Sequence, residues 1–379
     1  MSRFPTPLDF SDDATKSRKK MPRTFEGAWH LFSLVCFSFL VCYTRRMLKS
    51  KTLWIGIVIS LALLAFVFYG TDFRAIGDVF RSANYFFLLP AILLYFIGVL
   101  MRALRWHFLL RSIKPIRVGH LFQITVIGYM ANDLLPLRIG ELVRAYTLGE
   151  TEQISKASTL VTIVLERIFD GVTMLLFIGT ASFFLPLDDR IRALLLIGSI
   201  LFATVIVVLV AVTSFRECFD HLIHRVMARL PERWSMRGLK VIDSFFHGMS
   251  VLRNPSDALL ALGFSICAWV LEASMYAVLA LGFGIALQFP VFVLTTAVAN
   301  LVTIVPSTAG YVGVFDVPVK TILGLFGVDP NVAASYTLLL HATLIVPVVL
   351  LGLIFTWRLG LSVGQLQKRS QANVSLENA

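Results

Sequence analysis

Residues 128–144 read GYMANDLLPLRIGELVR and interrupt an apolar stretch at 118–135. Pro136 lacks the backbone N–H that a helix needs, and its ring clashes with the preceding turn. Gly140, four residues later, adopts backbone conformations that other residues avoid. The pattern predicts a broken helix at this point instead of a continuous membrane span.

A second apolar stretch, at 290–305, runs into a comparable element, PSTAGYVG, at 306–313. In both elements an Ala-Asn pair precedes the proline, and a glycine follows four residues after it. The freed backbone groups need partners inside a membrane, so such breaks occur where the chain is buried or lines a cavity. The predicted breaking residues are Pro136, Gly140, Pro306, Gly310 and Gly313.

The composition excludes a soluble enzyme. Of the 379 residues, 57% are hydrophobic and 15% are charged, and the mean hydropathy is +0.79. Soluble domains carry about 25% charged residues, and one water-soluble core cannot bury so much apolar surface. We therefore predict an all-α, polytopic bundle of membrane helices, each long enough to cross ~30 Å of hydrocarbon. The predicted spans are 52–70, 84–104, 158–185, 193–213, 257–281 and 331–357.

Basic residues predict which ends of these spans face the cytoplasm. The net charge is +11, and the positive residues lie mostly between apolar stretches. Because Lys and Arg favour cytoplasmic loops, we assign to the cytoplasm the flank at 45–51, the region 102–117, the segment 214–256 and the C-terminal tail. No compact basic domain is evident, so nucleic acid is not an expected partner.

The two interrupted stretches can be placed in the membrane in two ways. If both stretches cross the membrane fully, the basic segment 214–256 falls outside, against the positive-inside tendency. If each stretch enters, turns at its break and returns to its own side, every basic loop lies inside. We prefer this second threading, which gives two inverted repeats of span, span, re-entrant hairpin and span. Inverted repeats with broken helices are typical of transporters, and the broken elements mark the substrate site.

The predicted organisation has four parts. Residues 1–46 form a disordered tail with a short apolar segment, 47–190 the first membrane repeat, 191–360 the second repeat and 361–379 a cytoplasmic tail. Within the second repeat, 214–256 is a basic amphipathic connector on the cytoplasmic membrane surface. The short apolar segment is either an extra membrane-associated helix or precedes an alternative methionine start, and both interpretations stay open.

Charged residues near the first break and in the next span are the main candidates for a site. They are Arg138, Glu141, Arg144, Glu166, Arg167 and Asp170. Ionisable groups inside spans are costly, so they are functional candidates by default. Their charges sum to zero, which indicates a salt-bridge network that fixes the hairpin to the span. The same guanidinium groups suit the oxygens of a phosphate, since arginine binds phosphate bidentately.

The second half offers fewer polar candidates. Asp316 and Lys320 have the i, i+4 spacing of an ion pair, and His341 lies in the last span. A lone histidine there is either a satisfied packing residue or a group that exchanges a proton. Asn132 and Asn300 precede the two breaks, and Asn132 is expected to satisfy backbone groups that the break frees.

The pattern of Asn132, then Leu-Pro-x-Arg-x-Gly-Glu-x-x-Arg at 135–144, then Glu-Arg-x-x-Asp at 166–170 resembles the lysylphosphatidylglycerol synthase transmembrane-region family, also called flippase-like. The resemblance covers about 50–360 and implies a membrane domain that translocates lipids. In two-domain members a cytoplasmic aminoacyl-transferase follows this domain. Since the chain ends about 20 residues after its last span, we expect no such transferase and no lipid aminoacylation here.

The second signature of the family departs from its usual form in this sequence. It usually places a glutamate after the Gly-rich turn and an arginine in the following span. Here these positions are Asp316 and His341. The difference at these two positions affects which substrate is expected and how transport would be coupled to an energy source.

The sequence therefore favours a translocase or binding protein of the bacterial cytoplasmic (inner) membrane for anionic phospholipids or lipid-linked headgroups, with a cytoplasmic C-terminus. Arg138, Arg144 and Arg167 would hold the phosphate, and Glu141, Glu166 and Asp170 would be counter-charges, with Asn132, Asn300, Asp316 and His341 completing the substrate-binding set. Expected partners are membrane lipids and a separate lipid-modifying enzyme or glycosyltransferase.

Walker A, strand-linked GxGxxG and HExxH motifs are absent, and no CxxC pair occurs among the four cysteines, so we expect no enzyme activity, metal site or cofactor. Three alternatives remain. One is a non-transporting scaffold for an envelope-synthesis enzyme, and another is a small-solute carrier. The third is a membrane-embedded transferase of polyprenyl-linked sugars that uses Asp188 and Asp189.

Overall fold

The computed structural model describes residues 72–135, 139–186, 255–303 and 309–359, together with isolated positions between 62 and 65 and between 189 and 207. Every regular element in this part of the chain is a helix, which confirms the all-α prediction. Several predictions fall outside the described residues: Pro136, Arg138, Pro306, Asp188, the tails 1–46 and 361–379, most of the spans 52–70 and 193–213, and nearly all of the connector 214–256.

The described helices fall into one short leading helix and two groups of four. The leading helix is α1, Phe73–Ser82. The first group is α2, Leu88–Leu110, α3, Val118–Leu134, α4, Gly140–Glu152, and α5, Lys156–Phe184. The second group is α6, Pro255–Leu281, α7, Phe289–Val302, α8, Asp316–Leu325, and α9, Pro330–Arg358. Short 3₁₀ turns lie at Tyr85–Phe87 and Ala309–Tyr311.

Side-chain caps fix the starts of several helices. The carboxylate of Asp72 accepts from the Arg74 backbone N–H at 2.8 Å and begins α1. Ser155 caps α5, and Asp329 caps α9, where Pro330 occupies the first turn. Each cap satisfies an N–H group that has no partner within its helix, and proline loses nothing there because its missing N–H would be unpaired.

Among the described residues, three helices are long and apolar enough to cross a membrane, namely Tyr85–Leu110, Ser256–Leu281 and Pro330–Arg358. They correspond to the predicted spans 84–104, 257–281 and 331–357. Helix α5 has 29 residues and matches the third predicted span, 158–185, but it carries buried charges in its middle.

Large apolar side chains remain exposed on the outer faces of these helices, while charges lie inside. Leu89, Leu93, Leu259 and Leu350 are 75%, 60%, 71% and 58% exposed. A soluble monomer rarely exposes so much contiguous apolar surface. A lipid environment accounts for this distribution.

The two groups of four helices repeat the same order. The first and second helices of each group are joined by seven residues, 111–117 and 282–288. The long arm α3 of the first group packs against α9, and its counterpart α7 packs against α5. Two repeats would be expected to pack in this way, and the repeat itself stays a prediction. The opposite insertion of the two groups into the membrane stays a prediction.

Helices α2 and α6 form an antiparallel central pair. Near one end the Asn84 backbone N–H donates to the carbonyl of Gly282 at 2.8 Å. Near the other end the rings of Phe108 and Phe264 stack with centroids 5.5 Å apart. Between them a Cβ on Gly98 would lie 3.3 Å from the Ala268 carbonyl oxygen, so the two backbones approach closely.

Both predicted breaks are present as helix ends. Helices α3 and α4 have 17 and 13 residues, and α7 and α8 have 14 and 10. At 1.5 Å per residue the longest of these arms measures roughly 26 Å, shorter than ~30 Å of hydrocarbon. We call α3 with α4 the first hairpin, and α7 with α8 the second hairpin.

Candidate functional site

Five buried charged side chains meet between the central helix pair and α5. Helix α2 provides Arg102 and Arg105, α5 provides Glu166 and Asp170, and α6 provides Glu272. Arg102 and Arg105 were predicted to belong to a basic region that faces the cytoplasm; the membrane side stays a prediction, but the two residues are buried in a helix and are not loop residues. Helix α2 continues to Leu110, and the two arginines are 4% and 0% exposed inside the protein. Acidic partners from other helices make this burial tolerable, because an unpaired buried charge is costly.

Arg105 joins helices α2, α5 and α6. Its Nη1 atom donates to the carboxylate of Asp170 and, at 2.8 Å, to the hydroxyl of Ser265. Its Nη2 atom lies 3.7 Å from the Glu166 carboxylate. One guanidinium therefore contacts two acids and a hydroxyl across three elements.

Arg144 fixes the first hairpin to α5. It donates to Glu166 at 2.7 Å, and its guanidinium lies over the indole ring of Trp106 at 4.1 Å. The arginine is 2% exposed, and its side chain packs against Gly128, where any Cβ would overlap it. The predicted salt bridge between hairpin and span is confirmed by this pair.

A second buried pair lies between α2 and α6. Arg102 donates to Glu272 at 2.6 Å and stacks over Trp269 at 4.3 Å. The amide of Asn300 on α7 lies 3.4 Å from the same Glu272 carboxylate. The indole N–H of Trp269 donates to Asp170 at 2.7 Å, so this pair is linked to the Arg105 cluster.

Arg167 is the least constrained arginine of this group. Its guanidinium lies 3.5 Å from Asp170, as the sequence predicted, and its side chain is 38% exposed. By contrast, the side chain of Arg102 is 5% exposed and that of Arg144 is 2% exposed. Arg167 can therefore contact a ligand while it stays beside Asp170.

The first hairpin closes through a backbone approach. The side-chain oxygen of Asn132 accepts from the Gly140 N–H at 2.7 Å, which satisfies a group freed by the break, as predicted. A Cβ on Gly140 would overlap the Gly128 carbonyl oxygen and the Asn132 side chain. Glycine at 140 is therefore a steric requirement of the closed hairpin.

The second hairpin has a tight turn before α8. Gly310, Tyr311 and Gly313 adopt positive φ angles of 69°, 55° and 81°. The carboxylate of Asp316 accepts from the Gly313 N–H at 2.8 Å and contacts His341 Nδ1 at 2.7 Å. The two positions at which this sequence departs from the family pattern, 316 and 341, are thus bonded to each other.

A cavity of about 140 Å³ lies between the two breaks and the central helix pair. Six of the predicted site residues line it: Asn132, Glu141, Arg167, Asp170, Asn300 and His341. The structure also adds lining residues that the sequence analysis did not select, including Tyr95, Arg102, Tyr129, Asp133, Trp269 and Glu272.

Three predicted residues lie beside the cavity instead of lining it. Arg144 and Glu166 are paired with each other, and Asp316 is held behind His341. They position the residues that line the wall. Among the described residues, no group of three His, Cys, Asp or Glu side chains is arranged to hold a metal ion.

Glu272 could have been predicted as a site residue from the sequence. It is an acidic residue in the middle of an apolar span, the same criterion that selected Glu166. Arg102 and Arg105 carried a weaker signal, since arginines near a span end resemble loop residues. Their acidic partners, in α5 and α6, lie 61 to 170 residues further along the chain.

Long apolar helices packed around buried ion pairs define this molecule as a polytopic, multi-pass helical membrane protein. A sequence model of the family described as lysylphosphatidylglycerol synthase TM region matches residues 53–352. The chain belongs to this family, which indicates a membrane protein of lipid-related function. No curated protein gives a significant match to the chain.

Proposed function

We propose that this protein is a lipid translocase of the bacterial cytoplasmic membrane, with a cytoplasmic C-terminus and no catalytic role. It binds the phosphate-bearing headgroup of an anionic phospholipid or a lipid-linked compound in the cavity between the two hairpins. The acyl chains stay in the bilayer, along the exposed leucine faces of the helices. Membership of a lipid-related membrane family supports this proposal.

The observation that carries the proposal is the state of Arg167. It lines the cavity, keeps 38% of its side chain exposed, and lies 3.5 Å from its acidic neighbour Asp170. The guanidinium group suits a phosphate because its N–H donors match two phosphate oxygens. Arg102 supplies a second positive charge at the cavity wall, balanced by Glu272.

The acidic lining residues complement the rest of a headgroup. Asp133 and Glu141 line the same cavity, and the Oε2 atom of Glu141 has no hydrogen-bond partner among the described residues. Carboxylates accept hydrogen bonds from hydroxyl or ammonium groups. A headgroup that carries such donors next to its phosphate would satisfy both charges of the site.

Movement of the two hairpins would expose the cavity alternately. Residues adjoining both breaks, Asn132 and Tyr311, line it, so a shift at either break changes its wall. Broken helices that surround a site near the membrane midplane are a common transporter design. Two groups of four helices in the same order fit a rocking motion of one group against the other.

We expect Arg167→Gln to slow lipid translocation by tenfold or more. One hydrogen bond to a charged group contributes about 1.5–3 kcal/mol, which is roughly a 10- to 100-fold effect. The measurement uses proteoliposomes with fluorescent phosphatidylglycerol, whose outer-leaflet fraction is followed by dithionite quenching. Arg81→Gln is the control, since Arg81 lies on α1 with an 86% exposed side chain.

Equal rates for Arg167→Gln and the control variant would contradict the role of Arg167. Wild-type protein that does not accelerate crossing of any phosphate-bearing lipid, relative to protein-free vesicles, would overturn the translocase proposal. Retention of a lipid-modifying enzyme by that inactive protein would instead favour the scaffold alternative.

A further inference from the structure

His341 on α9 makes two short contacts, and both are with hydrogen-bond acceptors. Its Nδ1 atom lies 2.7 Å from Oδ1 of Asp316, and its Nε2 atom lies 2.6 Å from the carbonyl oxygen of Gly310. A neutral imidazole carries one N–H, so it cannot donate to an ionised carboxylate and to a carbonyl at once. The geometry requires one proton more than a neutral histidine beside an ionised aspartate would hold.

That additional proton has one location. The Gly310 carbonyl must receive a hydrogen from Nε2, so the second proton lies between Nδ1 and Oδ1. Oδ2 of Asp316 already accepts from the Gly313 N–H at 2.8 Å. Whether the proton is assigned to the ring or to the carboxyl group, the Asp316–His341 pair is neutral in this arrangement.

We propose that the Asp316–His341 pair is a proton-binding site, and that the bound proton holds the turn of the second hairpin closed against the cavity. When the proton leaves, His341 keeps one N–H and can donate to only one of its two partners. The other contact then places two hydrogen-bond acceptors next to each other, which is unfavourable. The pair then releases either the Gly310 carbonyl or the Asp316 carboxylate.

The turn depends on such external bonds because its backbone is unfavourable by itself. Gly310 and Gly313 accept positive φ angles readily, but Tyr311, at φ 55°, does not. Tyr311 and Phe315 both line the cavity, and the Phe315 ring centroid lies 5.0 Å from that of His341. Opening of this turn therefore moves the cavity wall.

Charged groups from each neighbouring helix bear on this proton. Asp133 on α3 lines the same cavity as His341, and when ionised it favours retention of the proton. Further around the wall lie Glu141 on α4, and Glu272 on α6 paired with Arg102 on α2. Lys320 lies one turn after Asp316 on α8, and no charged residue of α1 lines the cavity.

The test measures hydrogen–deuterium exchange of the amides at 309–315 in purified full-length protein between pH 5 and pH 9. Protection is corrected for intrinsic exchange and compared with amides in the middle of α2. In wild type we expect protection to fall as the pH rises, by up to about tenfold per pH unit, because opening releases one proton. A flat wild-type profile would overturn the proposal.

Two substitutions give opposite and pH-independent results. Asp316→Asn supplies an N–H in place of the shared proton, so the turn should stay protected at every pH. His341→Phe keeps a ring but removes both bonds, so the turn should exchange fast at every pH. If His341→Phe does not fold, the Asp316→Asn profile decides, and a wild-type pH dependence in that variant would contradict the proposal.

This inference can fail separately from the translocase proposal, since exchange is measured without transport. A pH-dependent turn in a protein that moves no lipid would leave the proton site standing and remove the lipid function. Lipid movement with a pH-independent turn would support the translocase proposal and contradict the proton site.

Discussion

Gly140→Ala is expected to prevent stable closure of the first hairpin. The new methyl group would overlap the Gly128 carbonyl oxygen and the Asn132 side chain, and a backbone atom cannot rotate away. The hydrogen bond from the Gly140 N–H to Asn132 would be lost as α3 and α4 separate. We expect a destabilisation of about 3 kcal/mol, the upper range for overpacking, measured by thermal unfolding in detergent.

Gly179→Ala is the matched control for this substitution. Gly179 lies inside α5, and a Cβ there would meet no heavy atom within 4 Å. Alanine in a helix interior is favoured over glycine, so this variant should unfold at the wild-type temperature or above it. Equal stability of the two variants would show that the close approach at Gly140 is not required.

Glu166→Leu is expected to cause the largest loss of stability among single substitutions in the buried charge cluster. Glu166 accepts from Arg144 at 2.7 Å and lies 3.7 Å from Arg105. All three side chains are buried, so removal of the acid leaves Arg144 without its acidic partner, while Arg105 keeps Asp170. Breaking a buried pair in this way costs about 3–5 kcal/mol, which unfolding in detergent or loss of folded yield would reveal.

Two further variants separate charge from packing. Asp78→Asn removes one partner of the exposed Arg81–Asp78 pair and should leave the unfolding temperature unchanged. The double substitution Arg144→Met with Glu166→Leu removes both charges of the buried pair and should recover part of the loss. If the double variant is no more stable than Glu166→Leu, an unpaired charge is not the cause.

The breaks of the two hairpins were predictable because proline and glycine act locally. Helices α3 and α7 end at Leu134 and Val302, within four residues of the prolines at 136 and 306. The Arg167–Asp170 contact was also predictable, since their spacing along one helix places them together.

The remaining site residues depend on packing between distant segments. Arg102 meets Glu272 across 170 residues of sequence, and no local pattern specifies that pairing. The spacing predicted Lys320 as the partner of Asp316. In the structure the Asp316 carboxylate instead contacts His341 and accepts a hydrogen bond from the Gly313 N–H. Helix periodicity cannot predict these partners of Asp316, because one lies in the turn at the second break and the other lies on α9.

The close contact of Gly98 with Ala268 has a mechanical consequence. Two backbones this near, flanked by the Arg102–Glu272 and Arg105–Ser265 bonds, form a rigid spine along the middle of the bundle. Deformation there would break ion pairs, whereas the break of the first hairpin is closed by the Asn132–Gly140 hydrogen bond and that of the second by the contacts of Asp316 and His341. We therefore expect the two hairpins to move while the central pair, α2 and α6, stays fixed.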